Sequence, residues 1–490
     1  MKIKRFKEIN VVLKSNRDIH WRVGLIYPNS YLVGMSGFSI KLLYHLLNQH
    51  PNIYTERVFF SQDLPHPPRS IETGKNLQQF DILAFTFQFE LDYINAIRMI
   101  QLSNIPIHAK NRNQNHPLLI AGGPCITANP EPLSEIFDVF FMGELESISD
   151  EFLNSIISNK HQNISEIILS IPGFYPAQDQ NKNMEAVITR NLNDVNYPIA
   201  QVRPVNKRNT KNLALNGYFL QVSRGCAHGC HFCLIGKIFK PYRERSFQCL
   251  QPLIDLGPKN TQTDFITLIG SSTADHSQIK EIINYIQEKE LKFVLPSIRI
   301  DSGEDILEIL KKTGQNNLSI APESGSDDIR EKIGKKIRNT DIHNFVKKAQ
   351  KYSIKQLKLY FILGLTSDPA KEADEIKKLV FNVKESYPEM KFNFSVNPLV
   401  PKRKTKFRKQ CTDYQIIDKE LDYLKRNLKS KGKFKSFPTR WAAIQAILSL
   451  GGVELVPKMI KVAEKGGSYQ DWKRVLEQDP HDYYKNNYCV

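Results

Sequence analysis

Three cysteines fall close together in the sequence, at Cys226, Cys230 and Cys233, and follow an apolar run that predicts a β-strand. Thiolates are soft, charged donors of the kind that hold iron–sulfur clusters, and each thiolate on such a short loop can bind one iron of a cubane cluster. The fourth iron then keeps an open coordination position, which is typical of a catalytic metal site. The spacing therefore predicts a [4Fe-4S] cluster that does chemistry.

A zinc site is the alternative interpretation of the same cysteines, with Cys249 as the fourth ligand. Zinc sites usually come as paired Cys-x-x-Cys motifs, whereas the first spacing here has three intervening residues. The start of the sequence, MKIKRFKEIN, is polar and predicts no secretory signal, so a metal site is favoured over disulfides. The remaining cysteines are expected to be ordinary thiols. A role for Cys489 as a hydrogen donor or radical partner is the lesser alternative.

The positive charge is concentrated in two windows of the sequence. The chain has 68 Lys and Arg against 51 Asp and Glu, a net charge of +17. Residues 203–245 carry a net charge of +8 and residues 401–440 a net charge of +10, so the rest of the chain is almost balanced. The positive charge of these two segments indicates either a solvated surface or the binding of an anionic partner. Such a partner could be RNA, a phosphate-bearing substrate or an anionic cofactor.

Composition excludes several classes of protein. Hydrophobic residues make up 41% and charged residues 24%, which is ordinary for a globular chain and excludes a disordered chain, a collagen and a disulfide-framed mini-protein. No apolar run approaches the ~18 residues that span a bilayer. We therefore expect a cytoplasmic protein without a membrane partner.

The elements around the cysteines alternate between strand and helix signals. The first part predicts strands at Val23–Tyr27, Asp81–Phe89, Pro117–Ala121 and Asp138–Met142, with helices between them. This alternation predicts a Rossmann-like parallel α/β domain, in which Gly-rich turns lie at the carboxyl edge of the sheet. From Tyr218 six further strand–helix units predict a partial (β/α) barrel. We expect a Rossmann-like domain at 1–157, a connecting region at 158–216, the barrel at 217–400 and a small helical, basic region at 401–490.

The motif Cys-x-x-x-Cys-x-aromatic-Cys at the end of the first barrel strand resembles that of the radical S-adenosylmethionine (SAM) superfamily. The resemblance implies that the open iron binds the amino and carboxylate groups of SAM and that reductive cleavage releases a 5′-deoxyadenosyl radical. It implies a set of residues at the strand ends that touch the cluster or SAM. The metal ligands are Cys226, Cys230 and Cys233, and the cofactor-binding residues are Phe232, Gly270, Ser271, Ser272, Ser297, Arg299, Glu323, Ser324 and Leu365.

Each cofactor residue has an expected partner on SAM. Phe232 and Leu365 would contact the adenine, and the turn from Gly270 to Ser272 the amino group. Arg299 would pair with the SAM carboxylate, and Glu323 would accept hydrogen bonds from the ribose. The alternative is that Arg299 forms a structural ion pair with Asp301 and that Glu323 is only a charge at a helix start. The catalytic residue is not identified.

The amino-terminal part resembles the cobalamin-binding domain of cobalamin-type radical SAM proteins, on Gly122-Gly123-Pro124, Asn129-Pro130-Glu131-Pro132 and Met142-Gly143-Glu144. One uncharacterised subgroup with a degenerate cobalamin domain is more similar, over roughly residues 20–470. The Asp-x-His-x-x-Gly motif of classical cobalamin domains does not follow Val23–Tyr27, so a His-ligated cobalamin is not expected. Binding of cobalamin without that histidine and a purely scaffolding domain both stay open.

Three functions are consistent with these observations. The first is a radical SAM enzyme that abstracts hydrogen from an unidentified substrate, with methyl transfer from cobalamin as an option. The second is a cobalamin-independent radical SAM enzyme that modifies RNA, and the third is a non-enzymatic zinc or RNA-binding module. For either enzyme we expect an external electron donor of the flavodoxin or ferredoxin type. The loops at the barrel mouth do not indicate which substrate is bound.

Overall fold

The computed structural model describes residues 6–61, 66–159, 163–179, 184–205, 213, 216–295 and 297–489. Part of the predicted connecting region and three cations of the first basic window (Lys207, Arg208 and Lys211) lie outside these residues. The chain forms two compact units, each built from several segments. The first unit comprises Met1–Phe219, Pro252–Phe265 and Gly451–Val475, and the second comprises Leu220–Gln251, Ile266–Leu450 and Leu476–Val490. The four-part division expected from the sequence stays a prediction.

A six-stranded sheet forms the centre of the first unit. Five strands are parallel and the last is antiparallel, which confirms the predicted α/β class. The strands lie in the order Ile53–Phe59, Trp21–Tyr27, Ile82–Thr86, Leu118–Gly122, Val139–Phe141 and Phe174–Pro176. Helices of this unit include Ser39–Leu47, Asp92–Leu102, Pro124–Ala128, Ser149–Ser158, Ile164–Leu169 and Val456–Lys465.

The strand Ile53–Phe59 was not predicted, although all seven of its residues are buried. Its sequence contains Glu56 and Arg57, which obscure the apolar pattern. The guanidinium of Arg57 is satisfied inside the protein by Glu8 and Glu72, each with a nitrogen–oxygen distance of 2.7 Å. A buried charge is tolerated when it is paired in this way.

Two further sheets lie mainly in the second unit, and the strands of the four-stranded one are all parallel. One has the order Lys292–Val294, Phe265–Ile269, Tyr218–Gln221, and the other has the order Asn317–Glu323, Gln356–Leu363, Lys391–Pro398, Gly432–Lys435. The six predicted strands are all present. Gly432–Lys435 is an additional strand, paired in parallel with Lys391–Pro398, inside the region predicted to be helical. Helices join or follow the strands at Phe247–Asn260, Ile279–Glu288, Glu304–Lys312, Asp327–Lys332, Asn339–Lys351 and Pro369–Ser386.

The last part of the second unit is helical, with helices Tyr414–Leu428, Thr439–Leu450 and Pro480–Tyr488. A disulfide joins Cys411 to Cys489 across 78 positions of sequence. The expectation that both are ordinary thiols is therefore wrong, and with it the role of Cys489 as a hydrogen donor. Sequence spacing cannot reveal such a pair, because the fold alone brings the two ends together. Among the helices in the described ranges, none is long and apolar enough to cross a bilayer.

Candidate functional site

The cysteine loop lies between the short strand Ser223–Arg224 and the helix Ile235–Ile238. Its three thiol-bearing residues are all partly exposed. The loop is entered through Gly225, whose φ of +79° is a left-handed conformation, and a Cβ there would lie 2.3 Å from the carbonyl oxygen of Phe239. Only glycine fits such a backbone position. The predicted ligands therefore sit on a tight, accessible loop at the end of a strand.

Burial raises the pKa of the Cys226 and Cys230 thiols above the usual value. The positive charge of Arg299 lowers both, and Lys335 lowers that of Cys230 further. Thiolates are the metal-binding form, so these two cations favour ligation. In the described part of the chain, no group of three His, Cys, Asp or Glu side chains is placed so that it could hold one metal ion together. A cubane cluster has no such requirement, because each thiolate binds a different iron. The three residues thus fit a cluster with one free iron.

The turn after the second barrel strand meets the cysteine loop through Asp275. The Nε2 atom of His228 lies 2.5 Å from Oδ2 of Asp275, and the hydroxyl of Ser272 donates to the same oxygen over 2.5 Å. Gly270 is closely packed, and Ser271 is exposed. The hydroxyl of Ser272 thus donates within the protein, and the carboxylate of Asp275 adds a charged acceptor to this turn that could receive an ammonium group. Sequence reasoning missed this residue, although an acid five positions after a strand-end glycine was a usable signal.

The segment after the third strand brings Arg299 close to the cysteines. The guanidinium of Arg299 forms two hydrogen bonds of 2.8 Å to the carboxylate of Asp301, as the structural alternative expected. Arg299 nevertheless acts electrostatically on Cys226 and Cys230. Ser297 is exposed. Arg299 therefore lies near the thiols, and the two guanidinium nitrogens that could bind a ligand carboxylate are paired with Asp301.

The fourth strand ends at Glu323, whose carboxylate accepts a hydrogen bond of 2.9 Å from the ammonium of Lys335. Glu323 has φ of +67°, an uncommon conformation for a residue with a side chain. Such conformations cluster at functional sites. The hydroxyl of Ser324 accepts from the backbone of Ser326, so it is used within the turn. Lys335 was not predicted, because it reaches the strand end from a later loop.

An apolar patch beside the cysteine loop contains both residues expected to contact the adenine. Phe232 packs against a small buried cluster that includes Leu365. The turn from Gly364 to Thr366 is held by the buried carboxylate of Glu372. That carboxylate accepts backbone hydrogen bonds of 2.8, 3.3 and 2.5 Å from Gly364, Leu365 and Thr366. The turn is therefore fixed by a residue that sequence reasoning missed.

The first unit has its own strand ends, at Tyr27, Thr86 and Gly122. At the predicted turns, backbone atoms occupy the space that a side chain on Gly123 or Gly143 would need. A Cβ on Gly123 would lie 2.7 Å from the carbonyl oxygen of Phe87, and one on Gly143 would lie 2.1 Å from that of Val187. Glycine is therefore required at both positions by the packing of the backbone.

Two family models match the sequence. The model described as radical SAM proteins, N-terminal, covers residues 39–175, and that of the radical SAM superfamily covers residues 220–380. An uncharacterized protein of Methanocaldococcus jannaschii is 31% identical over 413 residues, 84% of either chain. The heme chaperone HemW of Bacillus subtilis is 26% identical over 196 residues, which are 37% of this chain and 50% of that protein.

Solved structures are similar to this chain in fold. The radical SAM methyltransferase TsrM of Kitasatospora setae, with cobalamin and a [4Fe-4S] cluster bound, matches with a TM-score of 0.52 and 13% identity, over 76% of this chain and 72% of its own. The cobalamin-dependent SAM radical enzyme OxsB matches with a TM-score of 0.54 and 15% identity, over 86% of this chain and 58% of its own. At these identities the likeness concerns the fold alone.

Proposed function

The chain belongs to the radical SAM superfamily, and from this premise we propose that it cleaves SAM reductively to generate a 5′-deoxyadenosyl radical for the modification of an unidentified substrate. When bound, a [4Fe-4S] cluster supplies the electron for that cleavage. The observation that carries the proposal is the three-thiol loop with the basic groups Arg299 and Lys335 beside it. The non-enzymatic zinc or RNA-binding module considered from the sequence is set aside, because the radical SAM match and the fold likeness to radical SAM enzymes support an enzyme.

Six groups of residues would hold the cluster and SAM. Cys226, Cys230 and Cys233 would bind three irons, and Asp275 would accept hydrogen bonds from the SAM ammonium. Arg299 would release Asp301 and bind the SAM carboxylate instead. Both partners are carboxylates of the same charge that accept two hydrogen bonds from the guanidinium. Glu323 would accept from the ribose hydroxyls while it stays paired with Lys335. Phe232 and Leu365 would flank the adenine. Gly270, Ser271, Ser272, Ser297 and Ser324 would shape the loops around SAM.

Methyl transfer is the second candidate outcome, favoured by the fold likeness to TsrM and OxsB, whose structures were determined with cobalamin. Cobalamin, when bound, would supply the methyl group. Against this, the backbone atoms of Phe87 and Val187 pack directly against Gly123 and Gly143 in the turns of the first unit. We therefore assign no residue to cobalamin. A red absorbance spectrum after reconstitution would support binding, and its absence would leave the first unit as a scaffold.

RNA is the second candidate class of substrate, favoured by the net charge of +10 in residues 401–440. Binding through phosphates should then weaken steeply with salt, with a slope of about 0.9 per phosphate neutralised on a duplex. The cell compartment is proposed to be the cytoplasm, where a flavodoxin or ferredoxin supplies electrons.

Anaerobic reconstitution tests the proposed function. The protein is loaded with iron and sulfide, reduced with dithionite and incubated with SAM, and 5′-deoxyadenosine is measured by mass spectrometry. We expect about four irons per chain and a slow uncoupled release of 5′-deoxyadenosine. Tightly bound zinc with no 5′-deoxyadenosine would contradict the proposal. Addition of candidate substrate pools, with a search for faster release, then narrows the substrate.

A further inference from the structure

His231, which lies between the second and third cysteines, connects the cysteine loop to two basic segments of the second unit. Its backbone N–H donates to the carbonyl oxygen of Ile333 over 2.8 Å, and its ring Nδ1 lies 2.8 Å from the carbonyl oxygen of Lys332. Its other ring nitrogen, Nε2, lies 3.1 Å from the ammonium of Lys406, whose backbone N–H also donates to the His231 carbonyl oxygen. The cysteine loop is thus directly bonded to both segments.

The two segments expose cations around this junction. We call the exposed cations of residues 332–338 and 404–409 the basic collar. Its members are Lys332, Lys336, Arg338, Lys404, Lys406, Arg408 and Lys409. Glu331 is an exposed acid next to it, so the collar keeps a strong positive excess. A patch of one sign attracts partners of the opposite sign and speeds their encounter by about 10- to 1000-fold.

The collar is poor in exposed aromatic side chains. Phe407, the aromatic residue within its second segment, is partly buried and packs against the same apolar cluster as Phe232 and Leu365. Its ring therefore packs toward the interior and is not presented to solvent as a stacking surface for a nucleic-acid base. Single-stranded nucleic acid is usually bound by bases stacked on aromatic rings. The collar thus offers charge without stacking, which suits an acidic protein surface better than a single RNA strand.

We infer that the basic collar is the docking surface for the electron donor, a small acidic protein that carries a low-potential flavin or iron–sulfur centre. This inference rests on the proposed function and adds the place where the donor binds. His231, which bonds to both collar segments, is the sequence neighbour of Cys230 and lies two positions before Cys233, so a donor on the collar is connected to the cysteine loop through this residue. One electron leaves the reduced donor, which is oxidised by one electron, and enters the cluster; no atom or proton has to move with it.

The test uses a charge-reversed variant with a matched control. The collar variant is Lys404→Glu, Arg408→Glu, Lys409→Glu, in exposed positions that are assigned no part in binding the cluster or SAM. The control is Lys425→Glu, Lys429→Glu, Lys433→Glu, which makes the same change of net charge in the same basic window, also at exposed positions. Flavodoxin is the probe, and calorimetry measures its Kd for the full-length protein independently of turnover. Circular dichroism checks that both variants are folded.

The collar variant should raise the Kd for flavodoxin at least 10-fold and lower flavodoxin-driven release of 5′-deoxyadenosine, while the dithionite-driven rate stays within 2-fold of wild type. The Kd and the flavodoxin-driven rate of the control variant should stay within 2-fold of wild type. In 0.5 M salt the Kd values of the collar variant and wild type should become equal. An unchanged Kd, or an equal loss in collar and control, would overturn the inference. Loss of tRNA binding by the collar variant with flavodoxin unaffected would assign the surface to RNA instead. Failure of wild-type turnover with dithionite would count against the proposed function, and the calorimetric Kd would still decide the docking.

Discussion

Lys335 holds the carboxylate of Glu323 at 2.9 Å, and the side chains of both residues are almost fully buried. Both also act electrostatically on Cys230. The residue expected to bind the ribose is therefore already part of an ion pair that reaches the cysteine loop. A buried pair of this kind is costly to break, because the remaining charge is left without a partner.

Lys335→Met should weaken SAM binding about 10-fold or more, a loss of roughly 1.4 kcal/mol. Burial already raises the pKa of Glu323, and Lys335 opposes that rise, so its removal favours the protonated carboxyl. A protonated Glu323 is a poorer acceptor for ribose hydroxyls. Equilibrium dialysis with SAM measures the effect, and Lys336→Met, at the exposed neighbouring position, is the control. Wild-type affinity in Lys335→Met would contradict a role for this pair in SAM binding.

Replacement of Cys226, Cys230 or Cys233 by Ala should lower the iron content and abolish formation of 5′-deoxyadenosine. Each variant leaves one iron without its thiolate, and the loop carries no fourth cysteine to replace it. Iron and sulfide analysis together with the visible spectrum measure the loss. Cys249→Ser should keep the cluster. Loss of the metal in that variant would restore the four-cysteine zinc interpretation.

Glu372→Gln should loosen the turn that carries Leu365 and weaken SAM binding about 10-fold, with the iron content unchanged. The carboxylate accepts hydrogen bonds from three backbone N–H groups and from the hydroxyl of Thr366. An amide replaces one acceptor oxygen by a donor that faces these groups, and each buried donor left unpaired costs about 1–3 kcal/mol. Glu385→Gln, on an exposed part of the same helix, is the control. An affinity for SAM equal to wild type would show that the turn does not contact it.

Asp92 predicts a pH dependence of stability in the first unit. Burial raises its pKa to about 7, with Asn29 donating to its carboxylate over 2.7 Å. Because the native pKa lies above the unfolded value of about 3.9, the folded state holds the proton more tightly. Stability should therefore fall as the pH rises from about 4 to about 7. Asp92→Asn should remove this slope and raise the unfolding midpoint at pH 8 more than at pH 5. Equal effects at both pH values would contradict the assignment.

Local patterns of the site could be predicted from the sequence, whereas the contacts between its loops could not. The cysteine spacing and the strand ends are local patterns, so the loop, Arg299 and Glu323 were found where expected. Asp275 and Lys335 were missed because each acts on a residue of another loop, which only the fold brings close. Glu372 is only six to eight positions from the turn it holds, but its bonds depend on the way the following helix begins. The strand Ile53–Phe59 was missed for a related reason, since its buried Arg57 is satisfied by Glu8 and Glu72, which lie outside the strand.

The first unit is closed by residues near the end of the chain. The side-chain amide of Asn129 donates to the carbonyl oxygen of Gly451 over 2.8 Å, and the helix Val456–Lys465 packs on the helix Asp92–Leu102 with Met459 and Val462 fully buried. During synthesis the helix Asp92–Leu102 thus leaves the ribosome long before the helix that covers it. Domains usually fold as units in the order in which they emerge. Here the amino-terminal unit has to wait until residues Gly451–Val475 have been made, so a product that ends before them keeps an apolar surface exposed, which chaperones and proteases can recognise.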